Sequence, residues 1–315
     1  MSTDLTFPEK GLVESFALYR RRRPSVTLVV DRRVVGPLLF RNTQDGQAET
    51  HKFDGDLHAQ ANGEKFVSKE RLTGLDLLRS FEGRDLIDEN YAYNEPEGME
   101  EALNLGTLTY GIAGTGDQEF GIKSHVIEGY TYTTDPYDLM DRETRNAVYE
   151  SGTMQDEEGD PSQALFEHVT IDPGNSFVHF VTLEAGTPGM LAYVMHNILN
   201  TGVYGARSTR SGRTLDNSIV GIVLSDHSVN LSTGELLMSY HESGGDRTES
   251  VDAYLGDTVR EDWEVYGDAL DSFSDFPDWY HDLREVAGRE CEGAKSQLGE
   301  LFAETTRQAR EELLE

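Results

Sequence analysis

The chain has 315 residues, 58 of them acidic and 27 basic, for a formal net charge of −31. That length allows one large or two ordinary domains with a substantial core, and its plentiful aromatics and clear apolar periodicity exclude an acidic disordered protein. The single cysteine, Cys291, excludes a disulfide framework and a cysteine zinc site.

Only six of the basic residues are lysines. An acid-rich, lysine-poor surface is what a cytoplasm at molar salt selects, where the Debye length is roughly 3 Å; a halophilic, archaeal source is expected. No signal peptide is expected, and no run approaches the roughly 18 apolar residues of a membrane span. The expected location is cytoplasmic, with no membrane partner.

Residues 1–15 read as a loosely held leader. The run Arg20, Arg21, Arg22, Arg23 precedes Pro24 and a strand over residues 25–30. It fits a solvated approach to that strand and a backbone-binding patch equally well. A second strand over about 34–41, followed by a turn at Asp45-Gly46, predicts an antiparallel hairpin. From Glu64 the chain reads as a strand end carrying Lys65, Lys69 and Arg71, after which Thr73 caps a short helix through Phe81. Residues 82–104 are acidic and irregular, an insertion rather than core. Gly111, Gly114 and Gly116 form a G-x-x-G-x-G that lacks both the spacing and following helix of a dinucleotide fingerprint and the Lys-Ser/Thr of a P-loop. Residues 122–133 alternate like a strand, with Lys123 and His125 on one face. In a second polar insertion, 134–164, Asp135, Asp138 and Asp141 read as a solvated face rather than metal ligands. Residues 166–171 and 176–183 are strands, the second in the core.

The next stretch, 185–215, is the one long segment without acid. At the chain's average density about six acids would fall there, and none does. Thr187 suits an N-cap, Pro188 the first helical position and Gly202 a helix end. Between them Leu191, Val194, Met195, Ile198 and Leu199 make one buried helical face. A glycine-rich loop with Arg207, Arg210 and Arg213 follows, then a β-branched core strand over 218–225. The glycines let such a loop approach a ligand closely, and a phosphate backbone is the expected partner; neutralisation of nearby acids is the competing explanation. Gly244-Gly245-Asp246 opens an acidic linker, and from about Tyr280 the chain reads as helix, with Glu300, Glu304, Arg307, Arg310 and Glu311 at pairing intervals.

No Ser-His-Asp set, G-x-S-x-G, H-E-x-x-H or His/Cys ligand cluster is present. His51 and His58 read as surface residues, and His125, His179 and His196 as satisfied core or face histidines. Binding rather than catalysis follows, with single-stranded RNA or DNA held along one face of a sheet.

Several stretches together resemble the backbone subunit of the type I-D CRISPR effector (Cascade) complex, of the RAMP superfamily. They are ERLTGLDLLR (70–79), Tyr110-Gly111, YESGTM (149–154), the element 180–212 ending in YGARSTRSG, and SIVGIVLSD (218–226). The likeness runs over about 20–245. It implies an α+β fold: a ferredoxin-like, RNA-recognition-motif core within 1–245, with insertions at about 82–109 and 134–164. An acidic linker and helical C-terminal region, 246–315, would follow. It further implies a non-catalytic subunit whose copies line up along a crRNA guide as a helical filament, beside other subunits of the effector; contact with target DNA is left open. Carried onto this chain, Tyr204, Gly205, Arg207, Arg210 and Arg213 become a phosphate-cradling loop, Lys123 and His125 flank it, and Met154 tips a thumb-like hairpin. Arg41, Lys69 and Arg71 extend the basic track on charge alone. Relatives carry a zinc-binding cysteine cluster before the YG turn; here that stretch has no cysteine, so no zinc and no cofactor is expected. Some backbone subunits of this kind cut target RNA with an inserted aspartate and a metal ion, which makes Asp135, Asp138, Asp141 and Asp156 the alternative, catalytic, candidates. A stand-alone single-stranded nucleic-acid-binding protein and a halophilic protein-interaction module are the remaining alternatives.

Overall fold

Three apolar runs far apart in sequence form the sheet on which everything else is hung. The structure, a computed structural model, describes residues 5–16, 23–40, 48–81, 84, 86–114, 120–137, 142–146, 165–206, 212–288 and 292–314. The first part of the chain forms β1 (Ser25–Val34), β2 (Glu49–Phe53), β3 (Asp56–Asn62), α1 (Glu64–Arg79), α2 (Met99–Ala102) and α3 (Leu105–Tyr110). Short strands follow: β4 (Ile112–Gly114), β5 (Phe120–Ile122), β6 (Val126–Glu128), β7 (Tyr130–Tyr132), β8 (Arg142–Asn146) and β9 (Leu165–Val169). Then come β10 (Ser176–Glu184), α4 (Pro188–Asn200), β11 (Leu215–Ser225), α5 (Thr233–Glu242) and α6 (Arg247–Thr258). The chain closes with β12 (Glu264–Tyr266), α7 (Asp278–Gly288) and α8 (Glu292–Leu314). This is a mixed α+β fold, with eight helices among the described residues and only antiparallel strand pairs.

The main sheet has the order β12-β11-β1-β10-β6. β1 lies at its centre, pairing Ser25 with both Glu184 and Ser225, and a register shift at Val29/Val30 marks a bulge against β11. Because side chains alternate across a strand, β1 serves two cores. Val26, Leu28 and Val30 join Val181, Leu183, Ile222 and Leu224 under α1, α4, α7 and α8. Val29 joins Val178, Phe180, Val223 and Val265 under α5 and α6. Helix α4 is buried almost all round, as its apolar face predicts, with Thr187 accepting the Met190 amide as N-cap. Each fully buried Leu, Met or Ile there contributes about 1.5–3 kcal/mol. A third core gathers where β1 ends, from Val34, Leu38, Phe40, Phe66, Phe177, Tyr204 and Leu215.

Several elements differ from expectation. The stretch from Glu64 is not a strand end: one 16-residue helix runs from Glu64 to Arg79, and Thr73 lies inside it, its hydroxyl donating to the Lys69 carbonyl. The buried Glu70 on the inner face interrupts the apolar period that would have revealed it. The hairpin is absent from the described residues: β1 runs on to Val34, and residues 35–40, broken by Gly36-Pro37, keep a single bridge from Leu38 to Ile171. The Asp45-Gly46 turn lies outside the described residues. The strand over 122–133 is three short pieces, β5, β6 and β7, in three different sheets. The irregular stretch 82–104 sends Leu86 and Leu103 into the main core and buries Ala102, and the segment after 245 returns to the sheet as β12. The C-terminal helices pair Arg307 with Glu304 and Glu311 as the spacing predicts.

Candidate nucleic-acid interface

The acid-free loop is held at both stems. Where α4 ends, the Thr201 hydroxyl donates to Thr73 Oγ1 of α1 at 2.7 Å. The Thr214 amide then donates to the Gly202 carbonyl (2.8 Å) and the Tyr204 amide to Thr214 Oγ1 (2.9 Å), zipping the two stems together. Ala206 N–H reaches the Leu39 carbonyl at 2.9 Å. Gly205, at φ +89°, makes the turn outward that a side chain would strain. Arg213 sits at the exit, its side chain 62% exposed and paired with the exposed Asp216. Such a surface pair is worth ~0–1 kcal/mol, so a phosphate can replace its carboxylate at little cost. Arg207 and Arg210, between the stems, lie outside the described residues, as do Arg41 and Met154.

Helix α1 joins this loop to the YG turn. Beyond the Thr73 contact, Glu70 accepts the Tyr204 hydroxyl at 3.0 Å, and Arg71 Nη2 donates to the Gly111 carbonyl at 3.3 Å. Gly111 has φ +77°, and a Cβ there would lie 2.7 Å from the Ile122 carbonyl oxygen, so Tyr110-Gly111 is a turn only glycine closes. Lys123 is exposed just beyond Ile122, and Lys69 is half-buried one turn before Thr73. Through these bonds α1 links the loop stem to the YG turn, and the three together make the candidate patch.

Two expected contacts face inward instead. Tyr204 is fully buried and its hydroxyl is spent on Glu70 and Asn217, so its side chain does not cradle phosphate. His125 is also buried; Nδ1 meets the Glu184 carbonyl at 2.8 Å, and burial holds its pKa below the ordinary value. His58, read as a surface residue, is buried too, whereas His51 is exposed and His179 and His196 are buried as expected. Among the described residues helices cover both faces of the main sheet: α1 and α4 lie on one side, and on the other Tyr254 of α6 stacks on Phe180 at 5.9 Å.

One residue absent from the expected set belongs with the patch. The half-buried Tyr93 lies under the Arg71 guanidinium, 5.2 Å from ring centroid to Cζ, an arrangement that presents a flat, polar-edged platform. Its sequence signal was the aromatic doublet Tyr91 and Tyr93 within an acidic stretch. Asp135, from the alternative catalytic set, accepts the Tyr240 hydroxyl at 2.8 Å; Asp138, Asp141 and Asp156 lie outside the described residues. Among the described residues no three His, Cys, Asp or Glu side chains are grouped to hold a metal ion.

The pattern of the Csc2 CRISPR family matches residues 41–255, two thirds of the chain. The chain belongs to the Csc2 CRISPR family. The family region contains α1, the YG turn and both stems of the basic loop, so the whole patch lies within it. Among solved structures the chain is similar to Csc2 of Thermofilum pendens, at 17% identity over 92% of this chain and 90% of that one, with a TM-score of 0.49. It is also similar to a chain of a CRISPR RNA-guided surveillance complex in a pre-nicking state, at 10% identity over 84% of this chain and 99% of that one, with a TM-score of 0.55. No curated protein matches. For a Csc2 family member at such low identity, the second likeness speaks to the fold.

Proposed function

We propose that this Csc2 family member is a non-catalytic backbone subunit of a type I-D CRISPR effector, gripping the phosphates of a guide RNA with the 202–214 loop, α1 and the YG turn. One observation carries this reading. The only long acid-free stretch of a chain with net charge −31 is held at both stems and bonded to α1 at Thr73 and Glu70. Arginines there can hold phosphate oxygens in bidentate pairs, and backbone amides add contacts that survive salt better than bare charge attraction. Base pairing then carries sequence specificity, and the protein grips a backbone it does not read. The order β11-β1-β10-β6, with α1 and α4 as the crossovers, supports an RNA-recognition-motif core. On this reading both its faces are closed by helices and its loops do the binding. Partners are the crRNA, further copies of the chain and other effector subunits, with contact to target DNA left open. The setting is cytoplasmic; among the described residues no helix is long and apolar enough to cross a membrane.

Protein purified from its own host at high salt should carry protected RNA with repeat-derived ends. Changing Arg207, Arg210 and Arg213 together to Ala should abolish that RNA while leaving thermal unfolding in place. RNA-free wild-type protein would overturn the reading, and magnesium-dependent cutting of a bound target at regular intervals would move it to the catalytic alternative.

A further inference from the structure

Beneath the loop lies a buried charged network that the grip on RNA does not use directly. Arg32, near the end of β1, is fully buried, and its Nη1 donates to Glu70 Oε1 at 2.6 Å. The same nitrogen lies 3.3 Å from the Tyr204 hydroxyl and 3.5 Å from Asn217 Oδ1, while Cζ sits 4.4 Å over the Phe66 ring. The Tyr204 hydroxyl donates to Glu70 Oε1 and accepts from Asn217 Nδ2 at 2.9 Å. Asn217 Nδ2 also reaches the carbonyls of Ile198 (2.8 Å) and Thr201 (2.9 Å). One oxygen of one tyrosine thus joins β1 and α1 to both sides of the loop, which Tyr204 enters and Asn217 leaves, and Asn217 carries the link on to the end of α4.

Stability does not account for this arrangement. A buried ion pair recovers its desolvation cost only when every polar group is satisfied, and apolar replacements of similar volume are often neutral or stabilising. Here Arg32 Nε and Nη2 and Glu70 Oε2 have no hydrogen-bond partner among the described residues. Two further polar side chains, Glu128 and His179, are sealed in beside them. Burial pushes the Glu128 carboxyl well above its ordinary range, with Glu70 adding to the effect, and burial followed by the Arg32 charge pushes the His179 imidazole well below its own. What the network does provide is direction, because a guanidinium, a carboxylate and a phenol hydroxyl fix one another's orientation where apolar side chains would slide.

We propose that Arg32, Glu70, Tyr204 and Asn217 are positioning residues that fix the stems of the 202–214 loop in the geometry that receives RNA phosphates. This rests on the guide-binding reading for its purpose, but its mechanical half is independent of RNA. Two variants test it: Tyr204→Phe, which removes a single oxygen, and the triple Arg32→Met, Glu70→Leu, Tyr204→Phe. Amide hydrogen exchange would be followed in RNA-free protein, alongside thermal unfolding and the affinity for the guide RNA recovered from the host. With unfolding near wild type, exchange at 202–206 and 212–214 should rise about tenfold while that of β1 and β10 holds. RNA affinity should fall by about tenfold, most of it in the off-rate. Loop exchange within twofold of wild type in a folded Tyr204→Phe variant would overturn the proposal, whatever the triple variant does. Faster loop exchange in a protein whose wild type binds no RNA would uphold the positioning and remove only its purpose.

Discussion

His58 shows how a single side chain couples this fold to pH. Its Nδ1–H donates to the Thr133 carbonyl at 2.7 Å, and its ring stands edge-on to His241 with centroids 5.2 Å apart. Burial lowers its pKa; the Thr133 bond opposes this and the neighbouring His241 adds to it. As pH falls below about 6.5 the unfolded chain takes up a proton that the native ring refuses, so the unfolded state binds more protons and stability falls with acidification. The loss continues down to the native pKa, at a rate of at most about 1.4 kcal/mol per pH unit for one proton. His125 and His179, also lowered by burial, contribute with the same sign. His58→Asn keeps an amide donor near the Nδ1 position and cannot titrate. Denaturant unfolding at constant salt should therefore show a shallower decline between pH 7 and pH 5.5 in the variant. Equal slopes would mean that His58 charges freely in the native state.

At the scale of elements, what could be read from sequence and what could not divide along the range of the interactions. β10, β11 and α4 announce themselves because their apolar period is local and unbroken, and the loop stands out because acid is missing from it. The start of α1 stays hidden because its inner face carries Glu70, a residue that pattern reading assigns to solvent and that only the distant Arg32 makes tolerable. Tyr204 in a glycine-rich loop reads as a ligand contact for the same reason: nothing nearby in sequence shows that its hydroxyl is claimed by α1. β12 is three residues long and is defined by pairing with β11, about forty residues earlier, which no local pattern encodes. That return has a consequence for any division of the chain near residue 245. α7 and α8 bury Tyr280, Leu283, Leu298 and Phe302 against the same core that α4 fills, and Tyr193 of α4 meets Phe302 edge-on with centroids 5.6 Å apart. A chain ending at residue 245 should expose that face, bind a hydrophobic dye and lose its sharp unfolding transition. Cooperative unfolding of the shortened chain would show that the C-terminal helices are an appendage.

Across the whole molecule the dominant quantity is the net charge of −31. At low salt, where the Debye length is roughly 10 Å at 0.1 M, neighbouring carboxylates repel one another over several side chains, and the folded state, which packs them closest, bears most of the cost. At molar salt that repulsion is screened within about 3 Å, shorter than most surface separations. The buried contacts are indifferent to this change: Arg32–Glu70 and the aromatic pairs lie out of reach of ions. The thermal midpoint should therefore climb by many degrees between 0.1 M and 2 M KCl. The rise should be far steeper than that produced by sucrose at matched osmolarity, which strengthens burial without screening charge. On the proposed guide-binding role, salt would act on RNA affinity in two opposing ways. Salt weakens each phosphate contact, yet it also removes the long-range field with which the acidic body repels the guide. Net affinity for RNA should accordingly fall less steeply with salt than the count of loop arginines alone requires. Flat stability across the KCl range, or equal stabilisation by KCl and sucrose, would mean that surface repulsion does not limit this fold and that the acidic composition has some other origin.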